Sequence, residues 1–291
     1  MKAFTAYLMG YKTALRNGRM WLALYLFNVL FAFLAAFPLS GFLSKTVGQS
    51  LAFTRSLQGF DYTFLRDFVR EYGQGFGQIM DQALVYAVLY LLLSVLLIGG
   101  VLAIFRRWAE PFRWAAFWQG CTHFFWRMLR LSIYFLLLHG AVLALFGFVF
   151  FKMGIGSSLL ELDTEESIIR AGRIILPLYL LAAVLVFMLH DYAKIHVVQV
   201  DQRWLFRPIW QAIRLVFRNF GKVAFLYLLN VASFLLLTGL YWWLSRFLKG
   251  DTSLGLFLLG QAFVIGRIGL KLVNLWSATW LYQQFPVDSK T

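Results

Sequence analysis

The fold class this sequence predicts is all-α: a polytopic membrane bundle of six transmembrane helices. Three observations predict it. Six apolar stretches are each near or above the ~20 residues an α-helix needs to cross a ~30 Å hydrocarbon core. Hydrophobic residues make up 61% of the 291 residues and charged residues only 14%, at a mean hydropathy of +0.71. That leaves too little polarity to cover a water-soluble surface of this size. The 31 Phe, 13 Tyr and 11 Trp add the aromatic anchors expected at membrane interfaces. Helix is the only spanning structure these segments support, because lipid offers no partner for an unpaired backbone group.

Taken in order, the first span is expected over 21–39. About twenty residues precede it, Lys2, Lys12, Arg16 and Arg19 among them, and no small-x-small cleavage site follows. It therefore reads as a retained span rather than a signal peptide. A long outer loop, 41–82, comes next. It holds Asp61, Asp67, Glu71 and Asp81 with Phe60, Phe64, Phe68 and Phe76, and the phenylalanine spacing predicts an amphipathic helix lying on the outer surface or capping the bundle. Spans two, three and four are expected over 83–105, 131–151 and 174–198, with an acidic loop around Glu161, Asp163, Glu165 and Glu166 between the last two. Spans five and six are expected over 223–244 and 254–282. No Pro, Gly or Ser-rich linker sets off a soluble module, so residues 1–291 read as a single membrane domain.

Charge sorts across this framework. With the N-terminus inside, the inner segments carry sixteen basic and four acidic residues, whereas the outer ones carry nine of each, leaving out Arg267 and Lys271 within the last span. The positive-inside rule then predicts that both termini are cytoplasmic. It also explains the net charge of +14 and the pI near 10.1 without nucleic acid: the excess faces anionic lipid headgroups. Cys121 is the one cysteine, so no intramolecular disulfide can form.

The chain also compares with itself. Arg16, Asn17, Leu24, Tyr25, Leu26, Asn28 and Val29 recur at identical spacing as Arg218, Asn219, Leu226, Tyr227, Leu228, Asn230 and Val231. A more diverged middle unit is marked by Trp118, Gln119 and Phe125, which answer Trp210, Gln211 and Phe217. Three tandem helix-hairpin units are the expectation, each of interfacial elbow helix, span, turn and span. Arg203, Arg207, Arg214 and Arg218 fall within ~60° on a helical wheel, and Lys12, Arg16 and Arg19 repeat at i, i+4, i+7. These seven are the candidate contacts to anionic lipid.

Polar residues inside spans are costly enough to be informative. The fourth span holds His190, Asp191 and Lys194, and the sixth holds Arg267, Lys271 and Asn274 at i, i+4, i+7. Asp191 and Lys271 lie each about seventeen residues, or ~25 Å, from the outer ends of parallel helices, so an ion pair from Asp191 to Lys271 or Arg267 is allowed. Asn28, His139, Asn230 and Arg267 fall near one plane by the same count. Asn28, His139, Asp191, Lys194, Asn230, Arg267, Lys271 and Asn274 are thus the candidates for a polar layer in the inner half of the bundle. The layer could act as interhelical glue or as a substrate or ion site.

Catalytic signatures are scarce. There is no HExxH pair, no Gly-rich phosphate loop with Lys and no GxSxG elbow, and His123, His139, His190 and His196 are not spaced as a metal set. Neither catalysis nor a cofactor is expected. The tandem elbow-and-span units, the run Asp191, Tyr192, Ala193, Lys194 and Ile195 ending the fourth span, and Arg267 with Lys271 in the sixth resemble a group of bacterial six-span proteins. That group is similar to the membrane domain attached to glycerophosphodiester phosphodiesterases. The resemblance covers nearly the whole chain and implies a bacterial cytoplasmic membrane protein. It transfers no catalytic residue, because the metal-binding phosphodiesterase domain is lacking. The expected function is a non-enzymatic membrane accessory or scaffold that engages lipid or another membrane protein, with a small permease as the alternative.

Overall fold

A computed structural model describes residues 2–46, 62–107, 110, 112–154, 166–204, 206–248 and 253–285. Every regular element among them is an α-helix: α1 (Lys2–Arg16), α2 (Gly18–Thr46), α3 (Tyr62–Arg106), α4 (Trp114–Gly154), α5 (Glu166–Val200), α6 (Phe206–Arg218), α7 (Phe220–Phe247) and α8 (Ser253–Gln283). Six of these contain stretches long and apolar enough to cross a membrane: Gly18–Phe42, Gly77–Arg106, Trp114–Met153, Ile169–Val200, Phe220–Phe247 and Leu254–Gln283. Only 6% of the most apolar window is buried in the first and third of them. So much exposed apolar helix needs lipid around it, and the chain is a multi-pass integral membrane protein.

The helices are longer than the apolar stretches that announce them. Residues 62–82 are not a separate surface helix but the opening turns of α3, which runs unbroken into span two. No proline interrupts Tyr62–Arg106, and Gly75, poorly suited to a helix interior, lies where a side chain would strike the ring of Phe42. Phe60, Asp61, Glu161, Asp163 and Glu165 lie outside the described residues, as do the side chains of Phe64, Asp67, Phe68, Phe76 and Glu166.

The repeat has a structural counterpart at its ends. Two short basic helices, α1 and α6, stop one residue before a spanning helix starts, at Asn17 and Asn219. The two breaks are built alike. Asn17 donates its backbone N–H to Thr13 at 3.1 Å and its side-chain amide to the same carbonyl at 3.0 Å. Asn219 repeats this on Leu215 at 3.1 and 3.3 Å. Each asparagine's own carbonyl then accepts from the next helix's first turn, from Met20 and Trp21 in one case and Lys222 and Val223 in the other. Asparagine suits this place because its side chain competes for the local backbone and unlocks the ladder. The middle segment differs: residues 114–130 carry no such break, and the expected elbow there is the beginning of the 41-residue α4.

The chain falls into two compact units, Leu22–Ser94 and Met1–Trp21 with Val95–Thr291. In the first, the Tyr90 hydroxyl donates to Asn28 Oδ1 at 2.6 Å, while Phe42 lies against Gly75, so α2 and α3 run antiparallel there. In the second, small residues let helices approach closely, the usual device where lipid removes any hydrophobic drive between them. Gly99, Gly100 and Ala103 of α3 meet Phe117, Gly120 and Cys121 of α4. Gly10 of α1 lies on Val273 and Ser277 of α8, and Gly269 of α8 accepts the indole of Trp21, whose Nε1 donates to the Ile265 carbonyl at 2.9 Å. Arg106 at the end of α3 donates to Val198 of α5 at 3.2 Å.

Candidate functional site

Asp191 is the centre of the polar layer in the larger unit. One turn further along α5, Lys194 donates from Nζ to Asp191 Oδ1 at 3.1 Å, the i, i+3 spacing at which helical side chains meet. The other carboxylate oxygen is claimed by two helices. Tyr227 of α7 donates its hydroxyl to Oδ2 at 2.8 Å, and Asn274 of α8 donates its amide to the same atom at 3.4 Å. The chain continues to Asn230, one turn beyond Tyr227, whose amide donates to Asn274 Oδ1 at 2.9 Å and to its own Leu226 carbonyl at 3.1 Å. The Asp191 and Lys194 side chains keep only 17% and 12% of their exposure. A charge so enclosed is tolerable when it is paired and its oxygens are hydrogen-bonded, and both conditions hold here.

A second cluster joins α4 to α5. The His190 ring stacks on Phe135 with centroids 4.5 Å apart and planes at 16°, and His139 lies 4.4 Å from the Phe187 ring. His139 Nδ1 donates to the Phe135 carbonyl at 2.8 Å. Nε2 of each histidine is buried with no partner among the described residues, as is Asn230 Oδ1. Nearer the end of α5, His196 Nδ1 meets the Tyr282 hydroxyl at 2.7 Å.

The eight candidates therefore divide. Asp191, Lys194, Asn230 and Asn274 come together in one network. His139 belongs to the neighbouring aromatic cluster, and Asn28 is bound to Tyr90 within the other unit. The pairing of Asp191 with Lys271 or Arg267 that depth allowed is replaced by Lys194, one turn away on the same helix, the spacing at which helical side chains meet. Both of the other cations are exposed and make no ion pair among the described residues. Tyr227 is the member that spacing did not nominate. Its sequence signal was present, since it belongs to the repeated Leu-Tyr-Leu-x-Asn segment and lies three residues before Asn230 on one helical face.

At the basic end, Lys12, Arg16, Arg19, Arg203, Arg207, Arg214 and Arg218 are all exposed. α6 buries Pro208, Ile209, Ala212 and Val216 and exposes Trp204, Phe206, Trp210 and Phe217 beside its arginines. α1 is less superficial than an elbow lying on lipid: Ala3, Ala6, Tyr7 and Ala14 are buried, and the Tyr7 hydroxyl meets Ser233 of α7 at 2.5 Å. Burial pushes the Tyr7 hydroxyl up to about 12, so it remains protonated. Among the described residues no group of His, Cys, Asp and Glu is arranged to hold a metal ion. No protein-family model matches the chain, and no curated protein or solved structure is significantly similar to it.

Proposed function

We propose that the protein is a non-enzymatic membrane accessory or scaffold, embedded in a bacterial cytoplasmic membrane with both termini in the cytoplasm. It engages lipid, or another membrane protein, through its outer surfaces. The observation that carries this reading is the occupancy of Asp191. Its two oxygens accept from Lys194, Tyr227 and Asn274, on three different helices, which is how a carboxylate locks helices together rather than how one waits for cargo. The orientation is supported by the charge asymmetry between the two sets of loops, and the bacterial setting by the resemblance to six-span bacterial proteins. The exposed arginines and aromatics of α6 suit a helix at the headgroup level. A small permease is the second reading, favoured by Arg267 and Lys271, two exposed cations within a span.

One set of variants separates the two. Asp191→Asn, Arg267→Gln and Lys271→Gln are purified, melted in detergent and reconstituted for proton, alkali-cation and chloride flux. The scaffold reading expects Asp191→Asn to lower the melting temperature, the other two to leave it within a degree or so, and none to alter flux. Ion flux in the wild type that any of the three abolishes without loss of stability would favour the permease.

A further inference from the structure

A cavity of about 210 Å³ opens between the end of α3, the first turns of α4 and the turn after α5. Its polar lining is Arg106, Arg107, Gln119, His123 and Asp201. It shares no residue with the Asp191 network. We propose that it binds the phosphate of a membrane phospholipid headgroup, with Arg106 and Arg107 as its cations.

Charge makes the first argument. Asp201 is the one carboxylate in the lining among the described residues, and it is already engaged: its Oδ1 accepts from Arg127 and, at 3.1 Å, from His123 Nε2. Burial opposes the charge on Asp201, but the hydrogen bonds from Arg127 and His123 outweigh it and hold the carboxyl below its usual range. It is therefore ionised at neutral pH and neutralises Arg127, not the two arginines across the cavity. The Arg107 side chain has no hydrogen bond or ion pair among the described residues. Arg106 gives one N–H to the Val198 carbonyl at 3.2 Å, which fixes its guanidinium and leaves the remaining donors of the fork. Two such forks side by side match the oxygens of a phosphate.

Shape makes the second. Ala103, Ala116 and Gly120 also line the space, and larger residues there would fill it. At about 30 Å³ per water, the volume holds several waters or one polar headgroup. The walls are fixed by the close crossing of α3 and α4 at Gly100, Gly120 and Cys121. Asp201 holds a backbone φ of 56°, a left-handed conformation that an L-residue other than glycine adopts at a cost. Such strain persists where the surroundings impose it, and here His123 and Arg127 of α4 do so.

Position makes the third. Trp114, Trp118 and Trp126 are exposed on the same stretch of α4 that supplies Ala116, Gln119, Gly120, His123 and Phe124 to the lining, and exposed tryptophans at the end of a span mark the depth of the headgroups. A phosphate at that depth belongs first to lipid. The inference rests on the membrane reading but not on the Asp191 lock, so it can fail while the scaffold reading stands.

Delipidated protein is titrated with dioctanoyl phosphatidylglycerol, dioctanoylglycerol or inorganic phosphate, and thermal stabilisation is read. Phosphatidylglycerol should stabilise the wild type, while dioctanoylglycerol, which lacks the phosphate, and free phosphate should not. Arg107→Gln should weaken the lipid response roughly tenfold, the loss of one or two charge-assisted hydrogen bonds. The Arg107 side chain makes no hydrogen bond or ion pair among the described residues, so this variant is expected to fold, whereas Arg106→Gln also loses the Val198 bond. The control pair Lys152→Gln and Arg173→Gln, exposed cations near the opposite ends of α4 and α5 from the cavity, should leave the response within about twofold, the scale expected when distant surface charges are removed. An undiminished lipid response in Arg107→Gln would overturn the site. An equal response to inorganic phosphate, lost in Arg107→Gln, would overturn the lipid as its ligand.

Discussion

Tyr227 occupies a position at which one oxygen atom decides the state of a buried charge. Its hydroxyl is the closer of the two donors to Asp191 Oδ2, at 2.8 Å against 3.4 Å from Asn274. Tyr227→Phe keeps the ring and removes that donor, so the expected loss is about 1.5–3 kcal/mol, the scale of a hydrogen bond to a charged group. Combined with Asp191→Asn, the two losses should fall short of additive by ~0.5 kcal/mol or more, because both remove the same interaction. Thermal melting of the two single variants and the double measures this, and strict additivity would dissociate Tyr227 from the carboxylate. Asp191, Lys194, Asn230 and Asn274 were legible in the sequence because a polar residue in an apolar span has to have a reason. Tyr227 was not, since tyrosine is common near membrane interfaces and its hydroxyl acquires meaning only when a carboxylate from another helix faces it. The partner of Asp191 was misjudged for a related reason. Depth along parallel helices allowed a pair with Lys271 or Arg267, whereas the contact forms with Lys194 one turn away on the same helix.

At the level of elements, the joint between α5 and α6 is fastened to α4 through Asp201, His123 and Arg127. The lowered pKa of Asp201 sets the sign of its pH dependence. A carboxyl whose folded pKa lies below its unfolded value, near 3.8, contributes stability that is present above that value. The contribution is lost as pH falls through the lower folded pKa. Asp201→Asn should therefore lower the melting temperature at pH 7, and the deficit should shrink as pH falls below the usual carboxylate range and through the lower folded pKa. A deficit that stays the same as pH falls would mean that the side chain acts through shape instead of charge. The sequence anticipated two of the breaks between elements: the repeated Arg-Asn pairs end α1 and α6 with matching hydrogen bonds. It also suggested a third elbow before span three, on the strength of aromatic and basic residues. α4 runs straight through that segment, since composition signals an interface whereas a break requires a residue that competes for the backbone.

At the scale of the molecule, the six spans were legible because lipid demands long apolar helices and little else produces them. The first turns of α3 were legible as helix from the phenylalanine spacing, but not as a continuation of span two, because outside the core nothing in the sequence demands an unbroken helix. The division into two units was hidden too, since it depends on tertiary contacts that leave no periodicity in the sequence. Each functional reading above depends on six crossings with both ends of the chain on one side. Single cysteines introduced at Ser56, Glu165, Asp251, Gln119 and Gln202 in a Cys121→Ser background test that claim, with an impermeant thiol reagent applied to sealed cells. Positions 56, 165 and 251 should label from outside, and 119 and 202 only after the membrane is opened. Labelling of Gln119→Cys or Gln202→Cys in sealed cells would contradict the topology, and with it the placing of the basic helices and of the phosphate cavity at the cytoplasmic face.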